Sequence, residues 1–160
     1  MIPKMALANK PPTVAGKESS FAGRKILVTG GAGFIGSHLC EALLARGAEV
    51  ISLDNFSDNY PPVLKKWNIS GLLEMAGFSS YHGDIRDYSL LEKINRRHGV
   101  TDIVHLAALA GVRKSLQDPL EYVDVDIKGT VNILEFAARH RIKRFIFASS
   151  SSVYGAGPLP

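Results

Sequence analysis

The chain has 160 residues, 46% of them hydrophobic and 21% charged, with a formal charge of +4. That is enough for one domain burying roughly 70% of its unfolded surface, and it excludes a wholly disordered chain. One Cys, 15 Gly and no apolar run of bilayer length argue against a disulfide scaffold, a collagen and a helical membrane span.

The charge does not mark a nucleic-acid footprint. Lys4, Lys10, Lys17 and Arg24 against Glu18 place +3 within residues 1–24, leaving +1 for the rest of the chain. The clusters Arg96-Arg97-His98 and Arg139–Arg144 each precede an apolar strand, where cations suit the C-terminal end of a helix dipole. Neither a nucleic-acid nor a membrane partner is expected.

Residues 1–23 carry Pro3, Pro11, Pro12, Gly16, Ser19 and Ser20 without apolar periodicity, and read as a flexible leader. They lack the apolar core of a secretory signal and the Arg content of a transit peptide. A cytoplasmic location is the expectation, and the lone Cys40 is read as a small packed hydrophobe.

From residue 24 to 160 one domain is expected, in which short β-branched runs alternate with amphipathic stretches, the pattern of βαβ units and a parallel sheet. Strands are predicted at 25–29, 49–53, 79–83, 102–106 and 144–148. Between the first two, Ile35, Leu39, Ala42 and Leu43 recur at helical spacing, with Gly47 as a C-terminal cap. Pro61-Pro62 leads into a helix within 61–76, and Asp87 opens another at 87–98. The stretch 119–139 begins at Pro119 after Asp118 and shows two apolar stripes. One holds Leu120, Ile127, Val131, Leu134 and Ala138; the other holds Tyr122, Val125, Ile133 and Phe136. Only one stripe can cover the sheet. The other needs a later helix or another subunit, so homodimerisation or self-association through 119–139 is expected, with the fifth strand at an open edge.

The sharpest local signal is Thr29-Gly30-Gly31-Ala32-Gly33-Phe34-Ile35-Gly36, which follows a strand and opens a helix. That context suits a dinucleotide fingerprint: Gly30 and Gly33, or Gly31 and Gly33, permit the turn and the close approach of amides to a pyrophosphate. Gly36 allows tight helix packing, and the helix tip faces the anion. Asp54, at the end of the second strand, stands where a carboxylate accepts from ribose hydroxyls and repels a 2′-phosphate. Asn55 and Phe56 bring no compensating cation, so NAD is expected over NADP. A cap or turn role for Asp54 remains the plain alternative.

These residues closely resemble the extended short-chain dehydrogenase/reductase family of nucleotide-sugar epimerases and dehydratases over about residues 24–157. The further marks are Leu53-Asp54-Asn55, Gly83-Asp84-Ile85-Arg86-Asp87, His105-Leu106-Ala107-Ala108, Gly129-Thr130 and Ser149-Ser150-Ser151-Ser152-Val153-Tyr154-Gly155. Two stretches are similar to UDP-glucuronate 4-epimerases: residues 54–60 leading to Leu64-Lys65, and Ala110-Gly111-Val112-Arg113-x-Ser115.

The resemblance implies an α/β, Rossmann-like, doubly wound parallel sheet, incomplete at about five strands in the order 3-2-1-4-5. It implies Phe34 and Ile35 beside the pyrophosphate, Asp84 and Ile85 at the adenine, and Leu106, Ala107 and Ala108 beneath the nicotinamide. Asp84 also reads as a strand terminator, and Leu106 to Ala108 as strand-end core. Arg113 is implied near the sugar acid, though it also reads as a surface residue at a helix start. Ser150 is implied as the catalytic hydroxyl on the reacting sugar oxygen, with Ser149 and Ser151 as neighbouring alternatives. No metal is expected.

Two departures follow. Asp126 stands where the family usually has Asn, and an acceptor-only carboxylate is expected to disturb local order. The family's Tyr-x-x-x-Lys pair is not found, since Leu64, Ile85, Glu92 and Asp126 lie four residues after Tyr60, Tyr81, Tyr88 and Tyr122. The expectation is therefore a truncated NAD-binding portion of a UDP-glucuronate or UDP-glucose 4-epimerase-like enzyme, inactive alone. A 4,6-dehydratase fragment and a non-catalytic NAD sensor or interaction module are the alternatives.

Overall fold

Side chains alternate across a strand, so each strand assigns residues to both faces of its sheet. A computed structural model describes residues 20–155 of the chain. In β1 (Lys25–Thr29), Ile26 and Val28 join one apolar cluster, while Leu27 joins the other. β2 (Glu49–Asp54) divides in the same way, Val50 to one side and Ile51 and Leu53 to the other. With β3 (Phe78–His82), β4 (Asp102–His105) and β5 (Arg144–Phe147) they form an all-parallel sheet in the order β3-β2-β1-β4-β5. The fold is the expected Rossmann-like α/β arrangement; against the expected bounds β2 runs one residue longer, β3 lies one residue earlier, and β4 and β5 each end one residue sooner.

Helices cover both faces, as parallel strands require. On the first, α1 (Phe34–Leu44) and α2 (Pro62–Ser70) set Cys40, Leu43 and Ile69 against Ile26, Val28 and Val104. On the second, α3 (Tyr88–His98) and, after the short helices α4 (Val112–Gln117) and α5 (Pro119–Tyr122), α6 (Gly129–Arg139) set Leu91, Ile94, Ile133 and Phe136 against Leu27, Ile51 and Ile103. The Asp87 side chain caps α3 by accepting from Leu90 N at 3.0 Å.

Four local readings change. The buried face of α1 is Gly36, Ser37, Cys40 and Leu43, and Ile35 is 70% exposed. Gly36 draws the helix so close to the loop that the face of Gly36, Ser37 and Cys40 meets the sheet, and of the expected stripe only Leu43 is fully buried. The stretch 119–139 is three segments: α5, a wider π-helical turn at Val123–Lys128, and α6. From the first turn of α6 the Thr130 hydroxyl donates back to the Asp126 carbonyl of the π-helical turn at 2.5 Å, a back-bond that bends helices. The short α4 has no sustained periodicity and was not expected. Finally, Phe21, placed in the leader by sequence, packs against the first core cluster and receives the Arg24 guanidinium 4.7 Å above its ring. Residues 1–19 of that leader lie outside the described residues.

Among the described residues no helix is long and apolar enough to cross a membrane, and no cluster of His, Cys, Asp and Glu is placed to hold a metal. Burial pushes the Cys40 thiol up to about 12, so it packs as an inert hydrophobe.

Candidate functional site

In a parallel sheet all strands end on one edge, and the order reverses between β1 and β4, opening a crevice above their carboxyl ends. There Gly30 turns with φ +70°, and a Cβ on it would stand 3.0 Å from Ala107 N. A Cβ on Gly36 would collide with the Gly30 carbonyl oxygen. Only glycine fits either place, so the loop runs low and the tip of α1 stands clear above it. Its first turn contains no acidic side chain to compete with an anion.

An open groove of about 190 Å³ runs along this edge. Gly30, Gly33, Phe34, Asp54, Asn55, Asp84, Ile85, Leu106, Ala107 and Ala108 all line it. Ile35 and Gly36 shape the helix tip from outside the lining. Ser150 lies exposed beyond β5, donating to Ser152 Oγ at 3.1 Å and accepting from Ser152 N at 3.2 Å. Arg113 lies exposed in α4, also outside the groove lining.

Asp54 connects the glycine loop to the next strand. Its Oδ2 accepts from Ala32 N at 3.2 Å; its Oδ1 accepts from Phe56 N at 2.8 Å and from Lys65 Nζ at 3.0 Å. Asn55 and Phe56 bring no cation to this corner, yet Lys65 supplies one from α2, with both side chains nearly buried. The Leu64-Lys65 similarity was the available signal, but it carried no role.

Asp84 is saturated. Oδ1 accepts from Arg86 N and Nε, and Oδ2 accepts from Arg86 Nη2 and Asn55 Nδ2. The Arg86 hydrogen bonds hold its carboxyl down to about 2, while Asp84 and Asp124 raise the Arg86 guanidinium above its ordinary range. Arg86 also pairs with Asp124 and so ties this corner to the π-helical turn.

A third network lies beneath the floor of the groove. Thr29 Oγ1 accepts from Leu106 N and Ala107 N, both at 3.2 Å, and meets His105 Nδ1 at 2.6 Å. His105 Nε2 meets Thr130 Oγ1 at 3.0 Å. Asp126, expected to disturb the region, orders it instead: Oδ1 accepts from Leu109 N at 2.8 Å, and burial raises its pKa. Leu53, Ser57, Asn59, Tyr60, Lys65, Gly83, Leu109, Ala110 and Val125 complete the lining, and none of them is a site residue expected from the sequence.

The fold and this groove define a dinucleotide-binding class of α/β protein. Residues 26–160 match the model of the NAD dependent epimerase/dehydratase family, and the chain belongs to that family. It is 42% identical over 134 residues to a UDP-glucuronate 4-epimerase of Thermodesulfobacterium geofontis, covering 84% of this chain and 41% of that relative. A UDP-glucose 4-epimerase of Klebsiella pneumoniae is 39% identical over 137 residues, covering 84% of this chain and 94% of the relative. The crystal structure of a UDP-glucuronic acid 4-epimerase from Bacillus cereus, in complex with UDP-glucuronic acid and NAD, superposes with a TM-score of 0.74 at 40% identity. That match covers 85% of this chain and 44% of the solved one. The chain thus spans less than half the length of the first and third of these proteins.

Proposed function

We propose that these residues form the NAD-binding region of a nucleotide-sugar 4-epimerase acting on UDP-glucuronate or UDP-glucose. The observation that carries this reading is the Asp54 carboxylate, bonded to the glycine-loop amide of Ala32 and lining one groove with Gly30, Gly33 and Asp84. The residues fit the cofactor: the loop is too tight for a Cβ at Gly30 or Gly36, which leaves the helix tip free for a diphosphate.

In this reading Gly30, Gly33, Phe34, Ile35 and Gly36 hold the pyrophosphate, and Asp54 and Asn55 the adenosine ribose. Asp84 and Ile85 meet the adenine, Asp84 by releasing one of the bonds it accepts from Arg86 and Asn55; Leu106, Ala107 and Ala108 lie under the nicotinamide. Bound NAD⁺ supplies a hydride acceptor for the sugar carbon. Ser150 orients the reacting hydroxyl, and Arg113 receives the sugar acid through a planar, bidentate guanidinium. A base must still remove the hydroxyl proton. None of Tyr60, Tyr81, Tyr88, Tyr122 and Tyr154 has a lysine four residues later, so residues 1–160 by themselves bind cofactor without turnover. A homodimer through 119–139 belongs to the same proposal, supported by the exposed stripe described below. So does a cytoplasmic setting, for which the support is a single, unpaired cysteine.

The test is calorimetric titration of the 160-residue protein with NAD and NADP, followed by chromatography of UDP-glucuronate incubated with protein and NAD. NAD binding at least about tenfold tighter than NADP, without interconversion, is expected. Absence of NAD binding overturns the cofactor reading, and turnover within the ordinary enzymatic range of about 1–10³ s⁻¹ overturns the inert one.

A further inference from the structure

Lys65 is the single Lys or Arg among the described residues lining the groove. Its side chain is 9% exposed, that of Asp54 4%, and the two meet at 3.0 Å. The pair is held from a second point: Asn68, one turn along α2, donates through Nδ2 to the Ala32 carbonyl at 3.0 Å. Helix α2 is thereby fixed against the glycine loop independently of Asp54.

Counting acceptors shows what the pair leaves open. A carboxylate offers about four lone-pair positions. Phe56 N and Lys65 Nζ fill those of Oδ1, and Ala32 N takes one of Oδ2. One position on Oδ2 remains for a ribose hydroxyl. Viewed from the donors, two backbone amides and one ammonium converge on a single anionic group. Without the Asp54 carboxylate, the same three donors present a compact anion site of the kind a phosphate occupies.

We propose that Lys65 is a latent 2′-phosphate-binding residue masked by Asp54, and that this pair sets how sharply the groove separates NAD from NADP. The inference rests on the cofactor reading above. In the native pair the ammonium cancels the carboxylate charge, so Asp54 excludes a 2′-phosphate chiefly by occupying its donors. Removing the carboxylate both vacates those donors and leaves one positive charge beside them.

The test is titration of NAD and NADP into the native protein, Asp54→Ser, Lys65→Met and the double variant, with circular dichroism to verify folding. Asp54→Ser is expected to move the NADP-to-NAD affinity ratio at least tenfold toward NADP, and the double variant to lose most of that movement. Lys65→Met, which leaves the carboxylate uncompensated, is expected to sharpen the preference for NAD. If the buried unpaired carboxylate prevents Lys65→Met from folding, the comparison of Asp54→Ser with the charge-balanced double variant decides; Asp54→Asn replaces Asp54→Ser if that variant fails. A general structural role for Lys65 would weaken both dinucleotides alike and leave the ratio unmoved. NAD binding by the native protein with one ratio shared by Asp54→Ser and the double variant overturns the Lys65 inference alone. No binding of NAD by the native protein overturns the cofactor reading and this inference together.

Discussion

His105 shows how a buried side chain is assigned one protonation state by its neighbours. The Thr130 hydroxyl spends its proton on the Asp126 carbonyl, so it accepts from His105, whose Nε2 therefore carries the hydrogen. Nδ1 is then bare and accepts from the Thr29 hydroxyl, while the Thr29 oxygen accepts from Leu106 and Ala107. Every lone pair and proton in this chain of contacts fits only the neutral ring. Burial lowers its pKa from 6.5 to about 4. Between those values the unfolded chain binds a proton that the folded protein does not, so stability rises with pH across the window and is lost on acidification from about 6.5 to 4. The full loss is about 3 kcal/mol for a shift of this size. Urea unfolding from pH 7 to 4 should show that slope in the native protein and a flatter one in His105→Gln; equal slopes would contradict it. Below this window Asp84, held down to about 2, contributes stability present above its ordinary 3.8 and lost as pH falls toward 2, an effect reduced by its partial exposure.

At the scale of elements, the stretch 119–139 has an apolar face with no cover among the described residues. Val125, Ile133 and Phe136 are buried, whereas Leu120 is 78%, Ile127 60%, Val131 48% and Leu134 46% exposed. The two stripes were legible because apolar residues recur at helical spacing, but spacing alone does not say which stripe meets the sheet. Gly129 helps decide it: a Cβ there would press to 2.6 Å from Ile85 Cδ1, so that face is the one drawn onto the fold. Sedimentation velocity should find the native protein dimeric and Ile127→Lys/Leu134→Lys monomeric or weakened at least tenfold in association. A native monomer, or a charged variant that still pairs equally well, would contradict the proposed interface. Edge strand β5 presents a further bare apolar surface in Ile146 and Phe147, 58% and 53% exposed.

At the scale of the whole molecule, the groove is built from the ends of four strands and two helices, so a bound dinucleotide should stabilise the fold as one unit. At about 100 times its dissociation constant a ligand adds about 2.7 kcal/mol. For a chain of this size that corresponds to roughly 5–10 °C in Tm. Differential scanning fluorimetry with NAD should show that rise, and with nicotinamide mononucleotide, which has no adenosine half for Asp54 and Asp84, a smaller one. Equal shifts would remove Asp54 and Asp84 from the binding account.

The sequence by itself determined the alternation of strand and helix, the glycine turn, and the carboxylates at the strand ends. Each of these is a local constraint: a period, a missing Cβ, or a residue type at a boundary. The tertiary structure decided the partners. Lys65 reaches Asp54 from 11 residues away because α2 folds back on the loop, and Thr29 meets His105 across 76 residues because β4 pairs with β1. Such pairings depend on strand order and helix docking, to which no spacing within one segment responds. The same holds for the exposed stripe of 119–139, whose two faces are nearly equal in sequence and differ only in what packs against them.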